Sequence, residues 1–168
     1  LGCHLGDKAA LDRLRKIRGV DDKHHFTLMC RDLAELGHYA KVNNPQFRLL
    51  KAATPGAYTF ILEASKEVPR RLSHPKRSTI GLRVPAHRLT QDLLMILAEP
   101  MLTTTLILPH QDLPLTDAEE IRAQLGGMVD LIIEAGACGL TPTTVIDLSS
   151  EVPVLLRQGA GDAAKFGL

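Results

Sequence analysis

Tryptophan is absent from this chain of 168 residues, and aromatic residues make up only 4% of it. With so few rings available, stacking on unpaired bases is a poor expectation for any nucleic-acid contact. Cysteine is scarce as well. Cys3, Cys30 and Cys138 lie far apart with no Cys-x-x-Cys pair, which excludes a disulfide framework and points to reduced thiols in a reducing compartment. No apolar run approaches the roughly 20 residues of a membrane-spanning helix, and the start lacks the charged, apolar, then small-residue order of a secretory signal. A cytoplasmic protein without membrane partners is expected. An initiating methionine is also missing: the chain opens Leu1-Gly2-Cys3 and heads toward a helix, so it is expected to be a single domain over 1–168 that lacks its N-terminal segment.

What is present is ordinary for a globular domain, with 45% hydrophobic and 23% charged residues. The net charge of +1 shows no bias toward polyanions, yet the charge is unevenly spread. Lys66, Arg70, Arg71, Lys76, Arg77, Arg83 and Arg88 face only Glu67 within their stretch, whereas 110–151 is acidic apart from Arg122. Two solvated faces of opposite sign account for this; so does a basic rim beside an anion site.

Helix and strand signals alternate along the chain. Asp7 caps a predicted helix whose stripe is Ala10, Leu11, Leu14 and Ile17, closed by Lys16 and Arg18 where the helix dipole favours cations. Phe26–Cys30 reads as a short strand, followed by helices with Leu33, Leu36 and Tyr39 and, after Pro45, with Phe47, Leu50 and Ala53. Further strands are predicted at Tyr58–Leu62, Thr79–Val84, Met101–Leu108, Leu131–Glu134, Thr143–Leu148 and Val152–Leu156. Helices at Arg88–Ala98 and from Thr116, where Thr116 and Glu119 match a capping box, are expected to cover them. The class is therefore α/β, an open mixed sheet flanked by helices.

Common chemical templates are missing. There is no P-loop, no Gly-x-Ser-x-Gly elbow, and no ligand spacing for a metal. Gly159-x-Gly161-x-x-Ala164 follows a strand, but too little chain remains to complete a dinucleotide-binding unit. What remains is a set of Thr, Lys and Arg residues at the ends of elements. Lys16 and Arg18 suit a solvated helix terminus as well as an anion site. Thr103 and Thr105 put hydroxyls on one face of a strand, although threonine is also simply a good strand former. Arg83 stands between Leu82 and Val84 in an apolar strand, where a guanidinium needs an anionic partner from the protein or from a ligand.

Six phrases then make a pattern: Leu1-Gly2-Cys3, Lys16-Ile17-Arg18, Thr54-Pro55-Gly56-Ala57-Tyr58-Thr59, Ile80-Gly81-Leu82-Arg83-Val84-Pro85, Thr103-Thr104-Thr105 and Pro142-Thr143-Thr144-Val145-Ile146-Asp147. In this order they resemble the YrdC/YciO family across essentially the whole chain. Phe26–Leu33 and Glu67–Leu72 resemble its YciO branch. The resemblance implies a twisted sheet with a concave, basic face that binds ATP with Mg2+. In active members, threonine and bicarbonate are joined and adenylated to threonylcarbamoyl-AMP for a tRNA modification, with release of pyrophosphate. By matching, Lys16 and Arg18 are the catalytic candidates, facing phosphates or the carbamoyl group. Thr59, Arg83, Thr103, Thr105, Thr143, Thr144 and Arg157 are the ligand-binding candidates, and no residue is assigned to a metal. Where active members carry Ser-x-Asn, this chain has Thr105-Leu106-Ile107. A double-stranded RNA-binding module without catalysis, a role also attributed to the family, and a plain structural domain are the competing readings.

Overall fold

A computed structural model of the chain describes residues 1–70, 72, 76, 78–136 and 139–168. Arg71 and Arg77 of the basic stretch, and Cys138, lie outside the described residues. The strands are β1 (Gly2–His4), β2 (Thr27–Met29), β3 (Tyr58–Glu63), β4 (Thr79–Arg83), β5 (Met101–Thr103), β6 (Thr144–Asp147) and β7 (Val154–Arg157). The helices are α1 (Lys8–Arg18), α2 (Leu33–Tyr39), α3 (Asn44–Ala53), α4 (Arg88–Leu97) and α5 (Ala118–Leu125), with a final short turn of tighter helix at Ala163–Phe166.

The strands form one mixed sheet in the order β1-β5-β2-β4-β3-β6-β7, in which β2–β4 and β3–β6 are parallel and the other neighbours antiparallel. Alternation along the strands divides its two faces. Leu28, Phe60, Leu62, Leu82, Leu102 and Ile146 point to one face and join Leu11 and Leu14 of α1, Leu36 of α2 and Leu50 of α3 in the main core. Tyr58 and Phe166 close that core at one end, with ring centroids 5.5 Å apart. The opposite face carries Thr27, Met29, Thr59, Ile61, Gly81, Arg83, Met101, Thr103, Val145 and Asp147, and so is far more polar.

Local sequence explains the helix ends. Asp7 Oδ1 accepts from the Ala10 amide at 2.9 Å, and Gly19 closes α1 with φ 63°, a conformation that glycine adopts without a steric penalty. A side chain at Gly19 would also meet Pro109 Cγ at 2.7 Å, so this glycine lets the segment after β5 pass close to the end of α1. Asn43 and Gln46 form the capping box of α3.

Four expectations are corrected. The approach to α1 is not directly helical, because Gly2–His4 first pairs with β5 as an edge strand. β5 ends at Thr103, not Leu108: one further pair, Thr104 with Leu1, exchanges bonds at 3.0 and 3.1 Å, and beyond it the chain turns back on itself, Ile107 N bonding Thr105 O at 3.0 Å. Residues 131–134 form no strand, and Leu131 is 72% exposed. The cap of α5 is Asp117, which accepts from Glu120 N at 2.8 Å. Asp117 and Glu120 repeat the spacing of Thr116 and Glu119 one residue later, and a carboxylate accepts the free amide more strongly than a hydroxyl does.

Candidate functional site

The polar face is built in transverse rows. Thr103, Thr27, Gly81, Ile61 and Asp147 are paired in sequence across β5, β2, β4, β3 and β6. In the next row Met101 pairs with Met29 and Met29 with Arg83, while Thr59 pairs with Val145 and Val145 with Arg157. Because Phe60 pairs with Leu82, Thr59 stands beside Arg83, so the two arginines belong to one row. Three strand spacings separate their backbones, about 14 Å.

Arg83 is partly buried, and burial lowers its pKa. Its Nη2 donates to the Met29 sulfur at 3.2 Å, a weak acceptor, and its enclosed Nε has no hydrogen-bond partner among the described residues. No carboxylate among the described residues pairs with it, so the protein-partner alternative for this cation finds no support. Farther along the row, Thr59 and Thr143 share a hydrogen bond at 2.8 Å, and Arg157 donates to the Thr143 carbonyl through Nη2 at 2.8 Å and Nε at 3.2 Å. Thr59, Thr143 and Arg157 thus form one polar chain, with the exposed Arg157 at its outer end.

The other expected residues are placed less uniformly. Thr103 is buried on the polar face, where its hydroxyl donates to the Thr27 carbonyl at 3.1 Å. Thr105 is exposed in the segment beyond β5. Arg18 donates through Nη1 to the Ile107 carbonyl, and burial lowers its pKa also. That bond ties α1 to the segment where active members carry Ser-x-Asn. Lys16 and Arg18 are two apart on a helix and do not share a face. Lys16 instead lines an open cavity with Asp12 and Arg13, four and three residues earlier and so about one turn behind it on α1. Thr144 differs most: it faces the core, is fully buried, donates to Gly161 O at 2.6 Å and accepts from Gly159 N at 2.9 Å. The glycine-rich run after β7 is therefore held against the sheet as structure.

Residues that spacing alone did not single out are brought together as well. His24 and Thr104 share a hydrogen bond at 3.2 Å, and burial foremost, then the charges of Arg18 and His25, keep the His24 imidazole below its usual pKa. Thr27 and Met29 become neighbours of β4 and Arg83 only through strand pairing, which a linear pattern does not display. Among the described residues no group of three or more His, Cys, Asp and Glu could hold a metal ion. The guanidinium groups along the row suit phosphate oxygens.

The α/β sheet turns one face to its core and presents arginines and threonines on the other. The family model described as Sua5_yciO_yrdC, telomere recombination, matches residues 1–159, and the chain belongs to this family. It is 54% identical over 166 residues to the protein named YciO of Escherichia coli, covering 99% of this chain and 81% of that one. The crystal structure of E. coli YciO superposes with TM-score 0.92 at 53% identity, covering 98% of this chain and 80% of that chain. Similarity extends to human threonylcarbamoyl-AMP synthase, 30% identical over 156 residues, with 89% of this chain and 54% of the synthase covered. The structure of P. abyssi Sua5 complexed with L-threonine matches at TM-score 0.84 and 26% identity, over 94% of this chain and 46% of that one.

Proposed function

We propose that the protein binds ATP along the row from Arg83 to Arg157 and carries out chemistry of the threonylcarbamoyl-AMP synthase type. Arg83 is the observation that carries this reading. A largely enclosed guanidinium with no carboxylate among the described residues is matched to an anion supplied from outside. Arg157, about 14 Å along the same row, suits an elongated ligand with anionic groups toward both ends better than a single phosphate. The relatives named as threonylcarbamoyl-AMP synthases and the threonine complex of Sua5 support the same substrate class.

In that reaction L-threonine and bicarbonate are joined as a carbamate, with loss of water. A carboxylate oxygen of the carbamate attacks the α-phosphate of ATP, and pyrophosphate leaves. Charge builds on phosphate oxygens throughout, so donors and fixed cations serve better than a protein nucleophile. Arg83 holds the carboxylate or a phosphate; Thr59 and Thr143 offer hydroxyls; Arg157 neutralises the outer anion. Lys16 is on a different side of α1, and Arg18 acts through the 104–108 segment by holding Ile107. The Thr105-Leu106-Ile107 segment offers an aliphatic side chain where active members have an amide, so the hydrogen bond from that amide is not part of this site. Calorimetry with ATP and magnesium on the complete protein tests the reading: saturable one-to-one binding is expected, and no heat of binding at millimolar ATP overturns it.

A further inference from the structure

Resting on the nucleotide-binding reading above, we infer that His24 and Thr104 are positioning residues, which set the segment after β5 from the core side of the sheet. Thr104 stands between Thr103 and Thr105, two of the threonines expected to serve the ligand. Leu102 faces the core and Thr103 the polar face, so alternation turns the side chain of Thr104 away from the polar face. Its hydroxyl meets His24 Nε2 at 3.2 Å, a contact between residues 80 apart in sequence. The His24 ring is fixed in its turn, edge-on to Phe26 with centroids 5.1 Å apart and planes at 83°. Phe26 is buried in the core, and the Arg15 guanidinium of α1 lies over its ring at 5.8 Å. Burial foremost, then the charges of Arg18 and His25, disfavour the charged imidazole, and the neutral ring keeps one nitrogen able to accept from a hydroxyl. The connection from α1 to β2 grips the same segment at two further points. Arg18 donates to the Ile107 carbonyl, and Gly19 admits Pro109, whose Cγ a Cβ there would meet at 2.7 Å. Beyond Thr104 the backbone bonds to itself, Ile107 N to Thr105 O and Leu115 N to Leu106 O, so side-chain holds of this kind give Thr105 its place relative to the sheet. His24 supplies the hold nearest the row, and a shift of Thr104 moves Thr105 with it.

Calorimetry with ATP and magnesium on the complete protein tests this through a cycle of the parent, His24→Phe, Thr104→Val and the double variant. His24→Phe keeps a ring against Phe26 and removes the nitrogen, while Thr104→Val removes the hydroxyl at nearly constant shape. Each is expected to weaken ATP by about three- to tenfold, the scale of one net hydrogen bond. The double variant is expected to lose no more than either alone, because the same bond is lost once. His24→Gln, whose amide can reach the hydroxyl, is expected to bind ATP as the parent does. Melting temperatures that fall while ATP affinity stays at the parent's value make the pair a contact of the fold alone; they overturn the inference and leave the nucleotide reading standing. Losses that multiply in the double variant, or a His24→Gln as weak as His24→Phe, overturn it in the same way. A parent that binds no ATP overturns both.

Discussion

At the scale of single residues, charge and hydrogen-bond accounting separate those that serve the fold from those that serve a ligand. Arg83→Ala strands no carboxylate among the described residues, so the melting temperature of the free protein is expected to stay close to that of the parent. The same variant should lose the stabilisation that ATP confers, about 2.7 kcal/mol when ATP is present at 100 times its dissociation constant. A variant that melts far below the parent yet gains as much from ATP would remove Arg83 from the site. Thr144 gives the opposite expectation. Thr144→Val takes a partner from both Gly161 O and Gly159 N in a fully buried position, and urea denaturation should show a loss of about 1–3 kcal/mol with ATP affinity within about twofold of the parent. A large loss of ATP affinity at unchanged stability would return Thr144 to the ligand.

Among elements, caps and periodic stripes were legible, and positions that depend on a distant partner were not. The stripe of α1, the Asp7 cap and the apolar runs of β3, β4 and β6 follow from spacing and come out as expected. The apolar pattern of Leu106, Ile107 and Leu108 extends the expected strand past Thr103; in the fold the Ile107 carbonyl accepts from Arg18, a tertiary contact that periodicity does not contain. The site divides in the same way. Arg83 was readable as a cation in an apolar strand, whereas the approach of Thr27 and Met29 to its strand comes only from register. Thr144 was misplaced by a motif that lists neighbours in sequence without saying which face each takes. The start of α5 offers a local test, since two capping patterns compete one residue apart. Asp117→Ala should cost about 1 kcal/mol of stability and Thr116→Ala close to nothing. Equal losses in chemical denaturation would mean that both residues cap.

For the whole molecule, no helix among the described residues is long and apolar enough to cross a membrane. The basic stretch from Lys66 to Arg88 bears on the RNA reading, with Arg83 turned to the sheet face and Arg88 within 3.9 Å of Asp92 at the start of α4. Duplex RNA held by the remaining cations should release counterions, with a log-log salt slope of about −0.7 to −0.9 per phosphate. Filter binding that is unaffected by salt between roughly 50 and 200 mM would sink RNA as a partner through this stretch. The outer edge of the sheet has a consequence of its own. β7 is exposed along its length and, among the described residues, joined on one side only, to β6, through a pairing that shifts register between Val145 and Ile146. Arg157 rides on that edge strand, while Arg83 stands on a strand with neighbours on both sides. A ligand that reaches both arginines therefore stitches the rim to the middle, which a shorter anion held at Arg83 alone does not do. Amide hydrogens of Val154–Arg157 should exchange more slowly with the long ligand and at an unchanged rate with the short one.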